Sequence, residues 1–174
     1  ALSSGDPLAG IRVFETHYPE LFAARPRITF RNAMQAVDLA LLLQLAGSED
    51  RARKLLEAAI AFYESPWSTN GTTRYWLLPL KAEALALLGD DAGALAELRR
   101  ITDRGWRLLW RWETGLNYKF NGIRDHEEFA DMVDELTTDM ATQRLRVQDR
   151  AAAGEITQPP VIERKPSLQQ LQAR

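Results

Sequence analysis

One offset constrains this chain more than any other feature. Gly47 and Gly89 stand 42 residues apart, and the same offset maps Ala40 onto Ala82, Leu43 onto Leu85 and Leu45 onto Leu87. It also maps Ala52 onto Ala94 and Leu56 onto Leu98. Small residues recur where two helices must approach closely, and large ones recur where the gap must be filled. Such a match over core-type positions is an internal repeat. Within each copy the apolar residues recur at helical spacing, and no strand alternation competes from Ala33 to Ile101. Gly47 and Gly89 then read as glycines just past a helix end. Ser48 follows the first as an N-cap with Glu49 and Asp50 in the first turn, and Asp90 and Asp91 open the helix after the second. Each copy is therefore expected to be an antiparallel helix hairpin. The second copy's first helix is expected to start near Tyr75.

The flanks extend this pattern. Ile11, Val13, Phe14, Tyr18, Leu21 and Phe22 predict a short helix with an aromatic end, broken by Pro19 and Pro26. From Asp125 a long helix is expected, with Asp125 and Glu128 as a capping box. Its acids lie early, and Arg144, Arg146 and Arg150 lie late, as the helix dipole favours. Phe129, Met132, Val133, Leu136, Met140 and Val147 make its apolar stripe, and Gly154 stops it. The expected organisation is all-α: residues 1–154 a stack of antiparallel hairpins and 155–174 a proline-containing tail. Within the stack lie a half-unit at 8–31, hairpins at 32–65 and 74–105, and a cap at 106–154, whose helix covers the last open face.

The small residues Ala40, Gly47, Ala52 and Ala59, with Ala82, Gly89 and Ala94, resemble the tetratricopeptide repeat. The strings GWRLLWRW and NGIRDHEEFADMVDEL then resemble a C-terminal ending of bacterial tetratricopeptide proteins. There a leucine-arginine-x-aspartate-proline-x-phenylalanine motif opens the last helix. Ile123, Arg124, Asp125 and Phe129 match it, with His126 in the proline position. The resemblance spans roughly residues 33–150. It implies a right-handed helical solenoid within a larger bacterial signalling or regulatory protein, and a protein- or peptide-binding role. Ala1 in place of Met fits a processed product or an excised piece.

Composition narrows the chemistry. Hydrophobic residues make up 45% and charged residues 26%, with a net charge of -2. That is a globular mix, and its balance argues against nucleic-acid binding. Cysteine is absent, which removes disulfides, thiolate metal sites and cysteine nucleophiles. The apolar run Ala33–Ala46 is shorter than the roughly 20 residues a membrane span needs, so no direct membrane insertion is expected. His17 and His126 are the two histidines, and neither has a histidine neighbour at ligand spacing. The acids Glu127, Glu128, Asp131, Asp134 and Glu135 read as a solvated helix face. Asn70-Gly71-Thr72 matches a glycosylation sequon but reads first as turn geometry. No phosphate loop, dinucleotide fingerprint, zinc helix or nucleophile elbow occurs. No catalytic residue, metal site or cofactor is predicted.

A partner site is predicted instead. In the implied fold the first helix of each repeat lines a concave groove. Met34, Val37, Leu41 and Gln44 would face it from the first copy, and Trp76 and Glu83 from the second. Arg74 joins them from the connector. Trp106, Arg107, Trp110, Arg111 and Trp112 form an aromatic-basic string. It fills the wedge between the second hairpin and the cap as core, or anchors a partner as tryptophan and arginine do at interfaces. The predicted partner-binding residues are Gln44, Arg74, Trp76, Glu83, Trp110 and Trp112. A protein or peptide is the expected partner, a second copy of the chain an alternative. The groove is open to that partner or filled by the chain's own cap. A small-molecule sensor with a closed pocket of Trp76, Trp110 and Tyr118 is a further alternative.

Overall fold

The computed structural model describes residues 6–65, 77–107 and 110–156, with residues 112 and 113 through their backbone alone. Among these residues every regular element is helical, so the chain is all-α. Helix α1 spans Pro7–His17 and is followed by a 3-10 turn at Pro19–Phe22. Helices α2 (Ala33–Leu45) and α3 (Glu49–Glu64) form one hairpin. Helices α4 (Leu80–Leu88) and α5 (Asp91–Asp103) form the next. Helix α6 (Trp110–Gly115), a second 3-10 turn (Tyr118–Phe120) and α7 (Glu127–Ala152) complete the chain. The connector 66–76, with Arg74, Tyr75 and Trp76, and the tail from residue 157 lie outside the described residues. Two compact units divide the chain at Leu136 and Thr137.

In the first unit, inner and outer helices alternate. Helix α2 buries Ala36, Val37, Leu39, Ala40, Leu42 and Leu43, which is how a helix apolar around most of its circumference must sit. Helix α3 buries one stripe, Ala52, Leu55, Leu56 and Ala59, and turns Arg51, Arg53, Lys54 and Glu57 to water. Helix α4 repeats the first pattern with Leu80, Ala82, Ala84 and Ala86, and α5 the second with Ala94, Leu95, Leu98 and Ile101. Helix α4 packs against both α2 and α3, and α1 packs on α2.

The repeat extends to individual hydrogen bonds. Gly47 and Gly89 adopt φ of 73° and 77°, the left-handed region that glycine enters without a Cβ penalty. The Ser48 N–H donates to the Leu43 carbonyl at 2.8 Å, and the Asp90 N–H to Leu85 at 3.0 Å. Ala40 and Ala82, Ala52 and Ala94, and Leu56 and Leu98 are all fully buried.

Several local expectations need correction. Ser48 holds the N-cap position but makes no side-chain cap bond, whereas the Asp90 carboxylate accepts from the Gly93 N–H at 3.0 Å. Leu45 is 57% exposed, because it is the last residue of α2 and lies beyond the packed turns. Val37 is fully buried and belongs to the core, not to a groove. Helix α7 starts at Glu127, and the His126 carbonyl accepts from the Ala130 N–H at 3.1 Å. The helix therefore begins one residue later than an Asp125 cap requires.

The cap of the first unit has its own interior. Trp106, Trp110, Phe120, Ile123, Phe129, Met132 and Leu136 are buried, and the Phe120 and Phe129 rings lie 6.3 Å apart. Arg99 of α5 pairs with Glu135 of α7, and His126 Nε2 lies 3.4 Å from Asp91. In the second unit, α7 continues to Ala152 and exposes Leu145 and Val147. Val147 thus leaves the packed stripe predicted for it.

Candidate functional site

The most concentrated chemistry lies where the cap meets the two inner helices. Asp38 interrupts the apolar run of α2, and Glu83 sits in the apolar face of α4. A carboxylate in such a place demands a counter-charge or hydrogen bonds. Lys119, from the second 3-10 turn, supplies the charge. Its Nζ lies 2.7 Å from Asp38 Oδ1 and 2.7 Å from Glu83 Oε2. Asn117 Nδ2 donates to Glu83 Oε1 at 2.8 Å. Glu83 is 1% exposed and Lys119 8%, while the Asp38 side chain is 41% exposed. The site is thus sealed at Glu83 and reaches solvent at Asp38.

The turn that delivers Lys119 is built by two residues. The Asn117 side-chain oxygen accepts from the Lys119 N–H at 3.1 Å and so caps the turn. Arg124 holds it from the other side. Its guanidinium donates to the carbonyls of Thr114 (2.6 Å), Gly115 (2.7 Å) and Asn117 (3.0 Å). One side chain thereby satisfies α6's last carbonyls and fixes the path beyond, as a planar fork of donors can. Ile123 and Phe129, from the same motif, are buried on either side of it.

Electrostatics follow the geometry. Burial lowers the tendency of the Lys119 amine to hold a proton, but the charges of Glu83 and Asp38 outweigh it. The net result is a pKa above the ordinary lysine value. The Tyr63 phenol is pushed upward by burial first and by Glu83 and Asp38 next. Its hydroxyl donates to the Ala33 carbonyl at 2.8 Å. Among the described residues no buried side-chain polar atom lacks a partner.

The predicted partner residues are placed as follows. Gln44 is half-buried, and its Nε2 donates to the Leu87 carbonyl at 2.7 Å, tying α2 to α4. Glu83 lies inside the ionic site rather than on an open surface, because Lys119 and Asn117 cover it. Trp110 is buried, with the Arg111 guanidinium 5.4 Å above its ring, and Trp106 is buried as well. Arg74, Trp76 and the Trp112 side chain lie outside the described residues. Of the other groove positions, Met34 is exposed and Leu41 half-buried. Tyr118 is 61% exposed and Trp110 is buried.

Sequence reasoning missed Asp38, Asn117 and Lys119 as site residues and gave Arg124 no role. The available signal was Asp38 itself, a charge inside an inner helix. Among the described residues no group of three or more His, Asp or Glu side chains is arranged to hold a metal, and no helix is long and apolar enough to cross a membrane.

The site and fold define an all-α protein of paired helix hairpins closed by an ionic contact from its cap. No family model, no curated protein and no solved structure matches the chain.

Proposed function

We propose that the chain is a non-catalytic helical-repeat module of the tetratricopeptide type, which binds a protein or peptide within a larger bacterial signalling or regulatory protein. The observation that carries this reading is the exact-offset hinge: two hairpins separated by 42 residues close with the same backbone bonds at Gly47 and Gly89. Stacked hairpins of this kind offer shape rather than chemistry, with the inner helices α2 and α4 as the partner-facing layer. Arg74, Trp76 and Trp112, with Gln44, are the side chains proposed to contact the partner.

Capture on the immobilised chain tests the reading. The wild-type chain is expected to retain a discrete protein from a bacterial extract. The Arg74→Ala/Trp76→Ala variant is expected to lose it with an unchanged circular-dichroism spectrum. Equal retention by both would move the contact elsewhere, and retention of nothing by the wild-type chain would count against a binding module.

A further inference from the structure

The two carboxylates around Lys119 do not belong to the repeat. The 42-residue offset places Leu80 in the second copy at the position of Asp38, and Leu41 in the first copy at the position of Glu83. Leu80 is buried where Asp38 reaches solvent, and Leu41 is half-buried where Glu83 is sealed. The hairpin is thus built with leucine at either place. Nor does stability call for the charges, since well-packed apolar residues commonly replace a buried ion pair at no loss. Two separate departures from the repeat converge on one ammonium group.

The group they hold enters from a short segment with a buried and an exposed side. Over four residues the side chains alternate: Leu116 is 67% exposed, Asn117 buried, Tyr118 exposed and Lys119 buried. The backbone at Asn117 is extended. Lys119 itself enters from the 3-10 turn that follows, with Phe120 buried beside it, so the segment presents anchor side chains to the receptor and turns Leu116 and Tyr118 away, as a short docked peptide does. The Asp38 carboxylate, half in water, leaves the ammonium site a mouth.

We propose that the Asp38–Glu83 cleft between α2 and α4 is a lysine-recognition site, that Lys119 is its built-in occupant, and that a lysine-bearing peptide segment of a partner takes Lys119's place. This rests on the binding-module reading and gives it a recognition chemistry: one primary ammonium, gripped by a buried and a half-exposed carboxylate, with Asn117 orienting the buried one. Phe120 is fully buried in the cap, so the exchange is local: the Lys119 side chain withdraws while Asn117 and Phe120 stay. A partner that meets an occupied site binds with an affinity reduced by the fraction of time the site is vacant.

The test uses a labelled peptide copying residues 115–121 (Gly-Leu-Asn-Tyr-Lys-Phe-Asn), followed by fluorescence anisotropy against the full chain. Lys119→Ala is expected to bind it at least about tenfold more tightly than the wild-type chain, because the site is then vacant. The gain should vanish when the peptide's lysine is replaced by alanine, and again in Lys119→Ala/Glu83→Gln. Should Lys119→Ala fail to fold, Arg124→Ala keeps all three charged groups and only loosens the turn, and it too must bind more tightly than the wild-type chain. Equal binding by wild type and a folded variant, or binding indifferent to the peptide's lysine, overturns the site. If the peptide fails while the wild-type chain still captures a partner through Arg74 and Trp76, the lysine site falls and the binding module stands. If the peptide binds while nothing is captured, the lysine site stands and the Arg74–Trp76 contact falls.

Discussion

Lys119 shows how much one side chain decides in this protein. Its ammonium joins a turn of the cap to α2 and α4 through Asp38 and Glu83, both at 2.7 Å. Because the folded chain raises its pKa above the ordinary 10.5, the protonated form is favoured by folding. That contribution is complete below the ordinary value and disappears as pH rises through the raised one. Tyr63, also raised, pushes the same way, since the fold keeps its phenol neutral. We expect the wild-type melting temperature to fall as pH rises above about 10.5, and to fall less in Lys119→Met, which has no such proton to lose. Parallel losses in the two proteins would show that Lys119 is not held by these charges. Little of this was legible beforehand. Gln44 and Glu83 could be picked out only through the repeat register, as positions on the first helix of each copy. Lys119 could not, because Glu83 lies 36 residues away and nothing local to the 3-10 turn marks its lysine as interior.

Elements were far more legible than side-chain partners, for a physical reason. A glycine past a helix end acts within five or six residues, so Gly47 and Gly89 announced their hinges in the sequence and close them in the structure. Paired alanines at the helix crossings were likewise visible, because only small residues permit that approach. Ala52 and Ala94 are both fully buried, at corresponding places in α3 and α5. Ala52→Phe and Ala94→Phe are each expected to cost about 1–3 kcal/mol by overpacking, measured by urea unfolding. Unchanged midpoints would refute the crossing positions. Two of the failures were at element ends. Leu45 keeps the periodicity of α2 but lies on its last turn, and Asp125 matches a capping box that α7 does not use. Periodicity identifies a face; it does not say where along the helix the neighbour ends.

At the scale of the whole molecule, the repeat accounts for the two hairpins but not for the cap's attachment to them. The cap is secured by contacts the repeat does not supply: Lys119 at the inner helices, Arg99 with Glu135 on α5, and Arg124 bracing the turn. The sequence motif around Arg124 marked the start of the last helix, yet its arginine serves the residues before it. These contacts join segments far apart in sequence, which is why composition and spacing could suggest a filled or an open groove without choosing. The structure places Asn117 and Lys119 against Glu83 of α4. The central claim is that the cap reaches into the hairpin pair through this ion pair. A double-mutant cycle on Lys119→Met and Glu83→Gln, followed by urea unfolding, tests it most directly. We predict that the two changes are non-additive by about 1–3 kcal/mol, as contacting charged residues are. Additivity within about 0.5 kcal/mol would mean that the two side chains do not meet, and that the cap is not held in this cleft.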